Sequence, residues 1–228
     1  MSTLGRCLRS LGITGGLLLC GSIATTPASA TQVTFAFTGL VTEVGTNVVD
    51  LTKFTVFSPL TGTYTFESTT ANNGGSSVNG NYSGAITGLD FTLGTYHSPT
   101  SSDPPNQILV VDHTGNTTDS YHLESGITGG GAVNGHDPVS FDFTLTGPEP
   151  TGFADNSLPT TPPSVGTFLH GNQFRIIFED GANSRVFGVI TSITAVPLPA
   201  SVILFGAGLI ALIGLGAGTW RQQKNSLA

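Results

Sequence analysis

The chain has 228 residues, 38% of them hydrophobic and only 9% charged, with 31 glycines and a formal net charge of −7. An acid excess of this kind argues against nucleic acid and anionic lipid headgroups as partners. Cys7 and Cys20 are the only cysteines, so everything downstream lacks an internal disulfide, a thiolate metal site and a cysteine nucleophile.

The first element in chain order is a leader. "MSTLGRCLRS" carries Arg6 and Arg9, the apolar stretch "LGITGGLLLCGSIA" follows, and "TTPASA" closes it with Ala28 and Ala30 in small-x-small spacing. This three-part layout predicts a signal peptide over residues 1–30, cleaved after Ala30. Signal peptidase and the Sec export machinery are therefore expected partners.

Residues 31–195 read as one extracytoplasmic domain. They hold all fourteen acidic residues but only Lys53, Arg175 and Arg185 as bases, a net charge of −11. A region of this length can bury a sufficient core without disulfides. Its pattern is β throughout. "QVTFAFTGLVTEV" alternates Val33, Phe35 and Phe37 against Thr34, Ala36 and Thr38, and "LTGTYTFEST" sets Tyr64 and Phe66 against Thr63, Thr65 and Glu67. "GAITGLDFTLGTY", "NQILVVDHT", "DSYHLESGI", "VSFDFTLTG", "NQFRIIFED" and "SRVFGVITSITAV" alternate in the same way. Between the last two, "EDGANS" predicts a hairpin turn, with Gly181 taking the positive φ that such turns need. "ANNGGSSVNGN" and the Pro-rich "EPTGFADNSLPTTPPSVG" read as long loops, the second expected to be mobile. No motif repeats with a fixed period. The expected fold is all-β: an antiparallel, jelly-roll-like sandwich of about eight strands.

The tail occupies residues 196–228. Val202 to Thr219 is apolar throughout. At ~1.5 Å per residue this helix is ~27 Å long, enough to reach across a ~30 Å hydrocarbon core. Pro197 and Pro199 prevent the helix from starting earlier, and Ser201 suits an N-cap. A transmembrane helix is thus expected over 201–220, with Trp220 at the interface and a basic tip over 221–228. Arg221 and Lys224 form a basic stop that stays on the cytoplasmic side, as do Arg6 and Arg9. The expected location is the periplasmic side of the inner membrane, with transient anchoring, and then the cell surface or the medium.

This order of parts resembles the PEP-CTERM proteins, a class of exported bacterial proteins. The resemblance rests on "VPLPA", Val196, Pro197, Leu198, Pro199 and Ala200, set directly before the apolar span and the basic stop. The family's usual motif is Val-Pro-Glu-Pro followed by Ala or Ser. Here Leu198 stands where Glu is commonest, which bears on the subtype of the processing enzyme. The β-rich pieces "VTFAFTGLVTEV", "PLTGTYTFEST" and "YSGAITGLDFTLGTY" are similar to a body type that recurs in the class. The resemblance implies recognition by an exosortase, a membrane protease or transpeptidase, followed by release or transfer to the surface. It also implies association with exopolysaccharide, biofilm or floc formation. The motif has a physical logic. Prolines fix their own φ and push the preceding residues toward extended backbone, so "AVPLPA" is a stiff extended segment of the kind proteases bind.

Catalytic patterns are absent from the sequence. His97, His113, His122, His136 and His170 make no close ligand pair such as H-x-x-x-H. "DHTGNTTDSYH" is the densest polar cluster. Asp112, Asn116 and Asp119 within it lack the tight acidic spacing of a Ca²⁺ loop. Glu43, Glu67, Glu124, Glu149 and Glu179 fall mostly at strand edges or turns, and there is no nucleophile elbow, P-loop or dinucleotide fingerprint. Tyr64, Tyr82, Tyr96 and Tyr121 are the aromatic candidates for a sugar platform. The expectation is a non-enzymatic surface or matrix protein without a cofactor, with extracellular polysaccharide as a further partner. The alternatives are a polysaccharide- or Ca-binding module on the same scaffold, a glycan hydrolase, or a permanently anchored periplasmic protein.

Overall fold

The computed structural model describes residues 31–74, 76–113, 118–148, 153 and 155–197. The expected leader, Leu198 to Ala200 of the expected sorting motif, the expected membrane span and the expected basic stop lie outside the described residues.

Ten strands follow one another: β1 (Gln32–Val44), β2 (Pro59–Glu67), β3 (Asn79–Ser83), β4 (Ile86–Leu93), β5 (Tyr96–Ser101), β6 (Asp103–Val111), β7 (Thr118–Gly126), β8 (Pro138–Pro148), β9 (Gly171–Phe178) and β10 (Arg185–Ala195). Two 3₁₀ turns, Thr46–Val48 and Val165–Thr167, are the only helical elements among the described residues. No described helix is long and apolar enough to cross a membrane.

The strands form one antiparallel sheet in the order β3-β6-β7-β8-β9-β10-β1-β2-β4-β5. β6 to β10 make a meander, each strand pairing with its chain neighbour, and β1, β2, β4 and β5 complete the other half. The pairing of β1 with β10 joins the halves, so the two ends of the domain lie side by side at the middle of the sheet. The sheet is folded over on itself. β4 and β8 are five places apart in the strand order, which would separate them by ~24 Å in a flat sheet. The rings of Phe91 on β4 and Phe141 on β8 are nevertheless 5.1 Å apart, centre to centre. Phe37 on β1 also stacks on Phe141, at 5.4 Å.

Alternation decides what fills the space between the layers. Phe35, Phe37, Tyr64, Phe66 and Phe91 from one half meet Tyr121, Phe141, Phe143, Phe174 and Phe178 from the other, all essentially without solvent exposure. A side chain of this size removes ~150–250 Å² from water, which explains how a domain without disulfides holds together. At Thr191 the pairing of β10 with β1 shifts by one residue. This bulge restarts the inward pattern, so that Ile190 and Ile193 both face the core. The Thr38 hydroxyl bonds the hydroxyls of Thr191 and Ser192, each at 2.8 Å. At the β9–β10 hairpin Gly181 has φ +96°, as its place in "EDGANS" predicts.

Two expectations are corrected. The sheet has ten strands, not eight, because β3 and β5 escaped the reading. Its order is that of paired meanders folded over, not of a jelly roll, because β1 pairs with β10 and makes the two layers one sheet. In the described part of the Pro-rich loop Leu158 is buried, and the Tyr82 hydroxyl donates to the Asn156 carbonyl at 2.8 Å.

Candidate functional site

Since β6 to β10 turn their large apolar side chains inward, the intervening residues share the outer face. The register places them in rows. One row runs Gln107, Glu124, Asp142, Arg175, Phe187 across five strands. The next runs His122, Thr144, Gln173. Gln107 Nε2 donates to Glu124 Oε2 at 2.8 Å, and Arg175 Nε donates to Asp142 Oδ2 at 2.8 Å. His122 Nδ1 is hydrogen-bonded to Thr144 Oγ1 at 2.7 Å, while its Nε2 lies 3.9 Å from Glu124 Oε2. A shallow depression of about 190 Å³ lies over His122, Asp142, Gln173, Arg175 and Phe187.

Burial pushes the Asp142 carboxyl above its ordinary pKa, against the opposing pull of the Arg175 guanidinium. This surface offers amide, carboxylate, imidazole and guanidinium groups in one plane beside a phenyl ring, a set that suits hydroxyl-rich ligands. Glu124 and Asp142 are cross-strand neighbours on a single face, whereas glycoside hydrolysis needs two carboxyls flanking the bond.

A second location is the exit of the chain. The Val196 N–H donates to the Thr34 carbonyl at 3.1 Å, and Ala195 pairs with Phe35. A groove of about 240 Å³ lies here between the start of β1 and Val196–Pro197. Gln32, which lies just after the expected leader, and Val196 and Pro197, the first two residues of the expected sorting motif, thus occupy one end of the described domain. Ala28, Ala30, Leu198, Pro199, Ala200, Arg221 and Lys224 lie outside the described residues.

The other candidates disperse. His97 lies 3.3 Å from Asp90, and His136 Nδ1 lies 3.2 Å from Asp180 Oδ2. His113 closes its own hairpin, with Nδ1 3.0 Å from the Thr118 carbonyl and its N–H donated to Asp119 Oδ1 at 2.9 Å. Desolvation and the nearby Asp119 and Asp155 raise the Asp112 carboxyl. Among the described residues, no three His, Cys, Asp or Glu side chains gather as metal ligands would. Tyr64, Tyr82, Tyr96 and Tyr121 are all buried, so none can serve as a sugar platform.

The polar rows were not found from sequence because their members come from five separate strands. The clue is nonetheless present: His122 and Glu124, Asp142 and Thr144, and Gln173 and Arg175 are i,i+2 pairs on the face opposite the aromatic positions. Comparison with protein-family models, with curated proteins and with solved structures finds no match.

Proposed function

We propose that this is an exported, non-enzymatic surface or extracellular-matrix protein, processed at its tail by an exosortase-type membrane protease or transpeptidase. In this reading the leader is removed after Ala30, a membrane helix over 201–220 holds the chain for a time, and "VPLPA" is the processed segment. The observation that carries it is the way the body ends. Strand β10 ends at Ala195 and the Val196 N–H donates to the Thr34 carbonyl, so the sheet holds the chain up to the residue before Pro197. The chain requires no linker to present that segment to an enzyme in the membrane. Replacing Pro197 and Pro199 by alanine is expected to leave unprocessed protein in the inner membrane, detected by size and fractionation. Unchanged release would sink the reading.

A second reading adds polysaccharide binding to the same body, and the polar rows over β6 to β10 favour it. Arg175, Gln173, His122 and Asp142 border a depression beside Phe187. Glycan-array screening of the wild-type chain and of Gln173→Ala decides this. Binding that is absent in both, or equal in both, removes the reading.

A further inference from the structure

The polar strip over β6 to β10 has a definite length, direction and charge. Gln107, Glu124, Asp142, Arg175 and Phe187 hold one register position on five adjacent strands. Neighbouring strands lie ~4.8 Å apart, so the row presents a new side chain every ~4.8 Å over ~19 Å. Its hydrogen bonds run along the row and not along the strands. Gln107 Nε2 is held by Glu124 on the next strand, and Arg175 Nε by Asp142 on the next. These side chains are ordered before any ligand arrives, which lowers the entropy lost on binding.

The chemistry of the strip narrows the ligand. Arg175 is already engaged with Asp142. Glu124 stands in the same row, and Glu43 is next in line after Phe187. Three carboxyls thus accompany one guanidinium, in a domain of net charge −11, and a polyanionic glycan is repelled both locally and at long range. Capacity for hydroxyl groups remains. The Gln173 amide and the terminal nitrogens of Arg175 make no hydrogen bond among the described residues. Phe187 and Val189 are both half-buried on the outer side of β10, where they offer an apolar bed for the C–H face of a sugar ring.

We infer that the strip binds a single extended chain of neutral sugars laid across the strands, about one sugar to a strand, with Phe187 and Val189 beneath the sugar at the β10 end. A pyranose ring and its linking oxygen advance an extended glycan by close to the strand spacing, so successive sugars meet successive side chains. Twist turns the row by roughly 20–25° at each strand. A separate, soluble chain can follow that turn, and the flat face of a crystalline polysaccharide cannot. This inference rests on the polysaccharide reading and adds the form of the ligand.

The test is calorimetry on the full chain, held in a detergent without a sugar headgroup. Three neutral series serve as probes: cello-, manno- and chito-oligosaccharides of two to six units. In at least one series affinity is expected to rise with length to about five sugars and then level, the pentasaccharide binding about tenfold more tightly than the disaccharide. Gln107→Ala alters the end of the strip furthest from Phe187. It is expected to leave the disaccharide unaffected and to weaken the hexasaccharide about threefold. Equal affinity at all lengths, or a hexasaccharide unaffected by Gln107→Ala, overturns the placement across the strands while polysaccharide binding itself stands. Tighter binding of oligogalacturonate of the same length overturns the neutral ligand. Stronger retention on crystalline cellulose than on soluble hexasaccharide overturns the single chain. Absence of binding in all three series overturns the whole inference, and only a blank glycan array removes the reading beneath it.

Discussion

The hydroxyl oxygens of Tyr64 and Tyr121 lie 3.2 Å apart, one from each half of the folded sheet, and both side chains are fully buried. One hydroxyl donates to the other across the middle of an otherwise aromatic core. Removing one partner leaves the other without that bond. Tyr121→Phe is therefore expected to cost about 1–3 kcal/mol, and the Tyr64→Phe, Tyr121→Phe double variant much less than the two singles combined. Urea unfolding of the four proteins measures this, and strict additivity would refute the coupling.

The same pair sets a limit at high pH. Desolvation raises both phenols above their ordinary pKa of 10.0. The unfolded chain loses these protons first, so the folded state binds more protons above about pH 10. The stability due to this pair is complete below that pH and falls as pH rises through the folded values. Unfolding above about pH 10 is expected, with the phenolate absorbance of these two residues appearing together with loss of structure. Their ionisation in the folded protein at about pH 10 would contradict the burial.

Gly188 faces Phe174 across the β9–β10 pair. A Cβ there would collide with the Phe174 ring and the Leu40 carbonyl. The ring packs over the glycine where a side chain would not fit. Gly188→Ala is expected to cost about 1–3 kcal/mol by overpacking. At Gly166 an added Cβ meets nothing within 4 Å, and Gly166→Ala is expected to stay within about 0.5 kcal/mol. Thermal unfolding compares them, and equal effects would remove the steric explanation.

These positions show what alternation conveys and what it omits. The eight strands legible in the sequence are buried on one face, and Phe35, Phe37, Tyr64 and Phe66 announce them. The two that were missed, β3 and β5, are the two edges of the sheet. An edge strand pairs on one side only, so it tolerates Pro99 and the polar "NGNYS" without loss of a ladder. The union of β1 with β10 and the folding of one sheet into two layers depend on contacts between residues far apart in the chain, such as Phe35 with Ala195, for which no local pattern exists. The polar rows share that origin, because each strand contributes only one or two members.

Asp142 and Arg175 permit the most direct test of those rows. The Asp142 side chain is 8% exposed and that of Arg175 36%. Burial raises the carboxyl while the guanidinium lowers it, and burial prevails. An acid whose folded pKa lies above its unfolded value holds its proton more tightly when folded. Its contribution to stability is full at low pH and falls as pH rises through the folded value. Without Arg175 the buried charge loses its partner, so Arg175→Met is expected to cost about 1–2 kcal/mol at pH 7, a figure reduced for the exposure of the guanidinium. At about pH 3 Asp142 is largely neutral and the same substitution is expected to cost clearly less. Asp142→Asn in the Arg175→Met background removes the unpaired charge and is expected to recover most of the loss at neutral pH. Urea unfolding of the wild type and both variants at the two pH values measures these differences. An Arg175→Met loss that is equal in acid and at neutral pH would show that the arginine acts by packing its stem against the sheet, and that the ion pair contributes nothing of its own.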